Sequence, residues 1–210
     1  MRAHALSSPS FTGGVHRGAE HTDLNELGRT PVAVICAGVK SILDISKTLE
    51  YLETQGVTVA TVSEEHADFP AFFARSSGER SPLTLRDAEG CAALIESEPL
   101  FYGPQAANHQ LELNSGMVFA VPIPQEQSFE GNEVERAIKE AVEEAERKSI
   151  TGRDVTPFIL KRVNELSCGR SLSANVALVL NNAKVGAAIA RHLQILEDAA
   201  QGSAFAGTAI

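Results

Sequence analysis

Lys40 follows an apolar run, Pro31-Val32-Ala33-Val34-Ile35-Cys36-Ala37, and a turn residue, Gly38. A β-rich run of that length predicts a buried strand, and the residues after Lys40 predict a helix. The amine would then stand at a strand-to-helix corner, where open α/β sheets bind ligands. Partial desolvation there lowers a lysine pKa and frees an amine for nucleophilic or Schiff-base chemistry. The competing reading is an exposed lysine at a helix start. A second candidate is the loop Thr12-Gly13-Gly14-Val15-His16-Arg17-Gly18-Ala19-Glu20-His21-Thr22-Asp23, whose backbone N–H groups and basic side chains could cradle a phosphate. It could equally be a flexible lead-in to the first strand. His16 and His21 flank Glu20 at a spacing that does not put two ligands on one helix face, so phosphate or structural roles suit them better than metal ligation. Asp23 is either a helix cap or a carboxylate facing the site. Asn175, Asn181 and Asn182 lie among small and aliphatic residues, where a side-chain amide must find a backbone or ligand partner.

The elements that would position these groups follow from pattern. Residues 31–37 and 57–62 predict two strands around a helix at 41–55, with Ile42, Ile45, Leu49 and Leu52 on one face and Gly56 as its stop. Short connections make this a βαβ unit with parallel strands. Phe69-Pro70-Ala71-Phe72-Phe73 predicts a turn that buries rings against the sheet, and residues 75–82 a loop. Helices are predicted at 86–97, 132–147, 154–166 and 171–196, and a strand at 116–121 ends at Pro122-Ile123-Pro124. The glutamates of 132–147, Glu135 among them, read as a solvated face. Residues 1–11 read as a disordered segment, 12–196 as the folded domain and 197–210 as a flexible tail.

Composition limits the function classes. The chain has 210 residues, 43% of them hydrophobic, which supports a core within one domain. A net charge of -9 argues against a broad grip on nucleic acid. Three cysteines, widely separated and without CxxC spacing, read as reduced thiols. No stretch reads as long and apolar enough for a membrane span, and no secretory h-region stands at the N-terminus. The default compartment is the cytoplasm, with a mitochondrial address left open by the arginine and serines of the first ten residues.

Longer motifs then converge. Gly13-Gly14-Val15-His16-Arg17-Gly18-Ala19-Glu20, Cys36-Ala37-Gly38-Val39-Lys40-Ser41-Ile42-Leu43-Asp44, Thr48-Leu49-Glu50-Tyr51-Leu52-Glu53-Thr54, Phe69-Pro70-Ala71-Phe72-Phe73, Thr156-Pro157-Phe158 and Ser171-Leu172-Ser173-Ala174-Asn175 occur in that order, with Asn181-Asn182-Ala183 after them. Together they resemble the pseudouridine-5'-phosphate glycosidase (pseudouridylate synthase) family, from about Thr12 to Leu196. The resemblance implies an α/β class fold, three-layer α/β/α with a mostly parallel central sheet, in a homotrimer. It implies reversible cleavage of the C–C glycosidic bond of pseudouridine 5'-phosphate to uracil and ribose 5-phosphate. By resemblance Lys40 attacks C1' and forms an imine with the ring-opened sugar. Thr12 and His16 would lie at the phosphate, Asp23 at the substrate and Asn175 at the uracil. A divalent metal, usually Mn2+, would sit beside the sugar phosphate.

The chain departs from the family in three places. It has no counterpart of the N-terminal third, with its general-acid glutamate, so the fold is incomplete relative to the family. The glycine stretch before Val15 is shorter. A short segment that carries the metal-binding aspartate is missing between Thr22 and Asp23, which leaves Asp23 as the one substitute ligand. The alternative is therefore a catalytically impaired or inactive remnant that retains the C-terminal part of the fold.

Overall fold

A computed structural model describes residues 2–5, 20–40, 43–96, 115–151 and 154–206. Its centre is a five-stranded sheet in the order β1-β2-β5-β3-β4, with every described pairing parallel. The strands are β1 (Arg2–Ala5), β2 (Val32–Cys36), β3 (Thr58–Val62), β4 (Leu83–Leu85) and β5 (Met117–Ala120). The helices are α1 (Glu20–Leu27), α2 (Ile45–Thr54), α3 (Ala88–Glu96), α4 (Ser128–Arg147), α5 (Val155–Leu166) and α6 (Arg170–Ala206).

Strands buried on both faces need mostly apolar residues, and β2, β5 and, apart from Thr58 and Thr61, β3 supply them. Ala33, Ile35, Ala60, Met117 and Phe119 face one helical layer, where they meet Cys91 and Ala92 of α3 and Ile189 and Leu193 of α6. The alternate residues Val59, Val118 and Ala120 meet Leu24 of α1 and Leu52 of α2. This is the three-layer α/β/α arrangement expected. A third cluster lies past the C-terminal end of the sheet, where Ala37, Phe72, Phe73 and Ile123 pack under α4, α5 and the first turns of α6.

Several boundaries differ from the sequence reading. Arg2–Ala5, inside the segment read as disordered, pair in parallel with β2, and the helix read as ending near Leu196 runs on to Ala206. Helix α2 starts at Ile45 rather than residue 41 because Asp44 caps it, accepting from the Lys47 N–H at 3.0 Å. β4 went unread because three residues carry almost no periodicity; it pairs Thr84 with Thr61 of β3. Among the described residues one helix, at Arg170–Ala199, is long and apolar enough to cross a membrane, which corrects the reading that none is. Here that helix backs the sheet, packed on α3, β1 and β2. Its outward side exposes Leu172, Val176, Leu180 and Ile195. Glu135 is also corrected. It is only 8% exposed rather than on a solvated face, and neither carboxylate oxygen has a hydrogen-bond partner.

Candidate active site

The site is built where β2 ends. Gly38 has φ +88, and a Cβ there would lie 1.8 Å from the Pro70 carbonyl oxygen, so only glycine fits this turn. The turn is held by the segment that follows β3. Phe72 N–H donates to the Ala37 carbonyl at 3.1 Å, and Gly38 and Ala71 form an antiparallel bridge. Phe72 itself has φ +59, an uncommon conformation for a bulky residue, kept here because its ring is buried edge-on to Phe73 at 4.7 Å. Phe69 and Val39 share one apolar cluster. The expected ring-burying turn therefore exists, and it braces the two residues that precede Lys40.

Lys40 is half-buried, and burial lowers its amine pKa from the ordinary value. Its neighbour on the strand behaves oppositely. Burial pushes the Cys36 thiol up to about 11, against a lesser pull from a Gly38 backbone hydrogen bond. Near neutral pH the Cys36 thiol therefore stays protonated. Cys36, Cys91 and Cys168 are all free thiols.

On the α1/α2 face, a cleft of about 260 Å³ runs along the sheet, lined by Val34, Cys36, Gly38, Val39 and Val118 and, from α1, by Asp23. The structure thus brings Asp23 to the cleft that reaches the Gly38 turn. Among the described residues no group of three or more His, Cys, Asp or Glu side chains, Asp23 included, could hold a metal ion. Thr12 and His16 lie outside the described residues.

Asparagines of α6 approach from the other side. Asn181 Nδ2 donates to the Pro122 carbonyl at 3.3 Å, and Val121 N–H donates to the Cys36 carbonyl at 2.7 Å. Those two bonds tie α6 to the end of β5 and the end of β5 to the end of β2. Asn175 lies six residues earlier on the helix, about 9 Å along its axis. Its Oδ1 is buried without a hydrogen-bond partner, as is Oδ1 of Asn182.

Sequence reasoning missed Arg75. Its guanidinium Nη1 donates to the Ile123 carbonyl, so the Phe69–Phe73 turn is fastened to the end of β5 as well as to β2. Nothing in the loop-like run 75–82 signals a bond that spans 48 residues.

The sequence matches the profile of the family described as "Indigoidine synthase A like protein" over residues 8–192. This chain belongs to the indigoidine synthase A-like family. It is 50% identical to a pseudouridine-5'-phosphate glycosidase of Arabidopsis thaliana over 183 residues, 85% of this chain and 52% of the relative. It is 47% identical to the enzyme of the same name from Geobacillus kaustophilus, over 86% of this chain and 58% of that one. The chain therefore spans about half the length of the curated relatives it matches. Among solved structures, the prealnumycin C-glycosynthase AlnA in complex with ribulose 5-phosphate superposes with a TM-score of 0.69 at 27% identity, over 93% of this chain and 61% of that chain. An indigoidine synthase A-like protein from Thermotoga maritima gives 0.64 at 32% identity, covering 88% of this chain and 57% of its own.

Proposed function

We propose that this chain carries the lysine-bearing part of a pseudouridine-5'-phosphate glycosidase and that Lys40 is its covalent nucleophile. The observation that carries the reading is the half-buried Lys40 amine at the end of β2, on a turn that admits only glycine at position 38. Relatives at 50% and 47% identity bear the glycosidase name, and a structural neighbour was solved with a sugar phosphate, ribulose 5-phosphate. A C–C glycosidic bond has a poor leaving group. An amine bonded to C1' opens the ring, and its lone pair then forms an iminium as the bond to uracil breaks. Uracil leaves with a proton, and water releases ribose 5-phosphate from the imine. Asp23, Asn175, Thr12 and His16 are the proposed substrate-side groups.

Manganese and a homotrimer belong to the same proposal. Asp23 is the residue proposed as a ligand for Mn2+, and the covalent step above is assigned to the Lys40 amine. Leu172, Val176 and Leu180 recur every fourth residue on the outward side of α6, which supports self-association. A mass measurement in solution tests the trimer. A cytoplasmic location is proposed on composition alone.

The test of Lys40 is direct. The protein is incubated with pseudouridine 5'-phosphate, with and without Mn2+, reduced with borohydride and mapped by peptide mass spectrometry. A ribose-phosphate adduct on Lys40 that disappears in Lys40→Ala supports the reading. An unmodified Lys40 under these conditions would count against the nucleophile and support the alternative, a catalytically impaired or inactive remnant.

A further inference from the structure

We infer that Arg75 is a positioning residue for Lys40, acting through the backbone of the Phe69–Phe73 turn. Arg75 acquires this role on the reading that Lys40 is the working amine of the glycosidase proposed above.

The connections run in sequence. Arg75 Nη1 donates to the carbonyl of Ile123, a fully buried residue just beyond β5. Immediately before Arg75, Ala71 and Ala74 exchange backbone hydrogen bonds of 2.9 and 3.2 Å, closing a tight turn around Phe72 and Phe73. That turn donates the Phe72 N–H to Ala37 and bridges Gly38, two residues before Lys40. On its other side Gly131 of α4 lies so close that a Cβ would sit 2.2 Å from the Phe73 carbonyl oxygen. The turn is therefore wedged between β2 and α4, and the Arg75 bond ties its outgoing end to β5. The positive φ of Phe72 gives the turn a reason to open when released, because strain of this kind persists only where the surroundings over-determine it. Loss of the Arg75 bond thus loosens the frame that keeps Gly38 and Lys40 in place and admits water to the amine. Neighbouring charges on the same segment do not make this connection. Among the described residues the Arg80 guanidinium meets His66 at 3.4 Å, and Asp68 accepts from the Ser76 hydroxyl at 2.6 Å.

The test is the pH profile of Lys40 labelling. Full-length protein is methylated with formaldehyde and cyanoborohydride in short pulses from pH 6 to 10, and Lys40 is quantified by peptide mass spectrometry. Arg75→Ala is expected to shift the Lys40 profile to higher pH, with labelling at pH 8 down about threefold. The shift persists in 0.5 M salt, where a through-space charge effect is largely screened beyond a Debye length of about 4 Å. Amide exchange at Phe72 quickens in the same variant. Arg75→Met, which keeps the stem and drops the donor, repeats the shift and serves if Arg75→Ala does not fold. Arg80→Ala removes a charge from the same segment and leaves the profile in place. A profile in Arg75→Met equal to that of the unaltered protein overturns the assignment. So does a shift that salt erases or that Arg80→Ala reproduces. Formaldehyde needs no sugar site, so these outcomes stand apart from the ribose-adduct test of Lys40 itself.

Discussion

Replacing Gly38 by alanine tests how the Lys40 turn is built. Two costs add at this position. The first is conformational: φ of +88 is outside the range an L-residue readily adopts, which costs roughly 1–3 kcal/mol. The second is steric: the new Cβ would sit 1.8 Å from the Pro70 carbonyl oxygen and 2.7 Å from its carbon, and backbone cannot swing aside as a side-chain end can. Pro70 must move, and the Phe72-to-Ala37 hydrogen bond goes with it at about 1 kcal/mol. These figures amount to about 2–4 kcal/mol before the displacement of Pro70 is counted, a large part of the ~5–15 kcal/mol that holds a domain together. Gly78 provides the comparison. Its φ is +83, yet nothing lies within 4 Å of its would-be Cβ, so Gly78→Ala bears the conformational cost alone. Urea unfolding followed by circular dichroism gives both values. Gly38→Ala should lose at least 1–2 kcal/mol more than Gly78→Ala. Equal losses would refute the claim that the turn is pressed against Pro70.

Glu135 carries a pH dependence of defined sign. Burial raises its carboxyl pKa from 4.5 to about 7, against a lesser pull from Lys139, so the folded state holds the proton longer than the unfolded one. Stability is intact below about pH 4.5 and falls as pH rises to about 7, by roughly 3 kcal/mol. Glu135→Gln should flatten that fall in urea titrations at pH 5 and 8; an unchanged fall would assign it elsewhere. Thr61 is fully buried with its hydroxyl unpartnered, so Thr61→Val should be neutral or stabilise by up to about 1 kcal/mol, read as a rise in urea midpoint. Asn181→Ala removes the bond to Pro122 and should cost about 1 kcal/mol in the same assay. On the proposed function, with Asn175 at the uracil, Asn175→Ala should raise the KM for pseudouridine 5'-phosphate more than it lowers kcat.

The parts of this fold that were legible are those whose burial leaves a local period. The run before Gly38 is apolar at every position because β2 has a helical layer on each face. Gly56 and Gly38 are marked because their positive φ values are read from residue type alone. What stayed illegible depends on partners far along the chain. Arg2–Ala5 have no strand pattern of their own and become a strand because β2 offers an edge. Glu135 falls beside the apolar stripe of α4, and its burial depends on the helices packed around it, which a 3.6-residue period does not register.

The same division runs through the site. Lys40, Gly38 and the Phe69–Phe73 turn could each be picked out from sequence, but not the fact that the second and third touch. That contact fixes the backbone two residues before Lys40. A lysine following a strand is ordinarily free to extend its stem into water. Here the residues before it, Gly38 and Val39, are pinned by a turn whose own geometry is strained and whose far end is tied by Arg75 to β5. The backbone that leads into Lys40 is therefore held where three segments meet at the C-terminal end of the sheet: residues 37–40, 69–75 and 121–123. Only the first contains Lys40. Substitutions in the other two should change its reactivity without touching it.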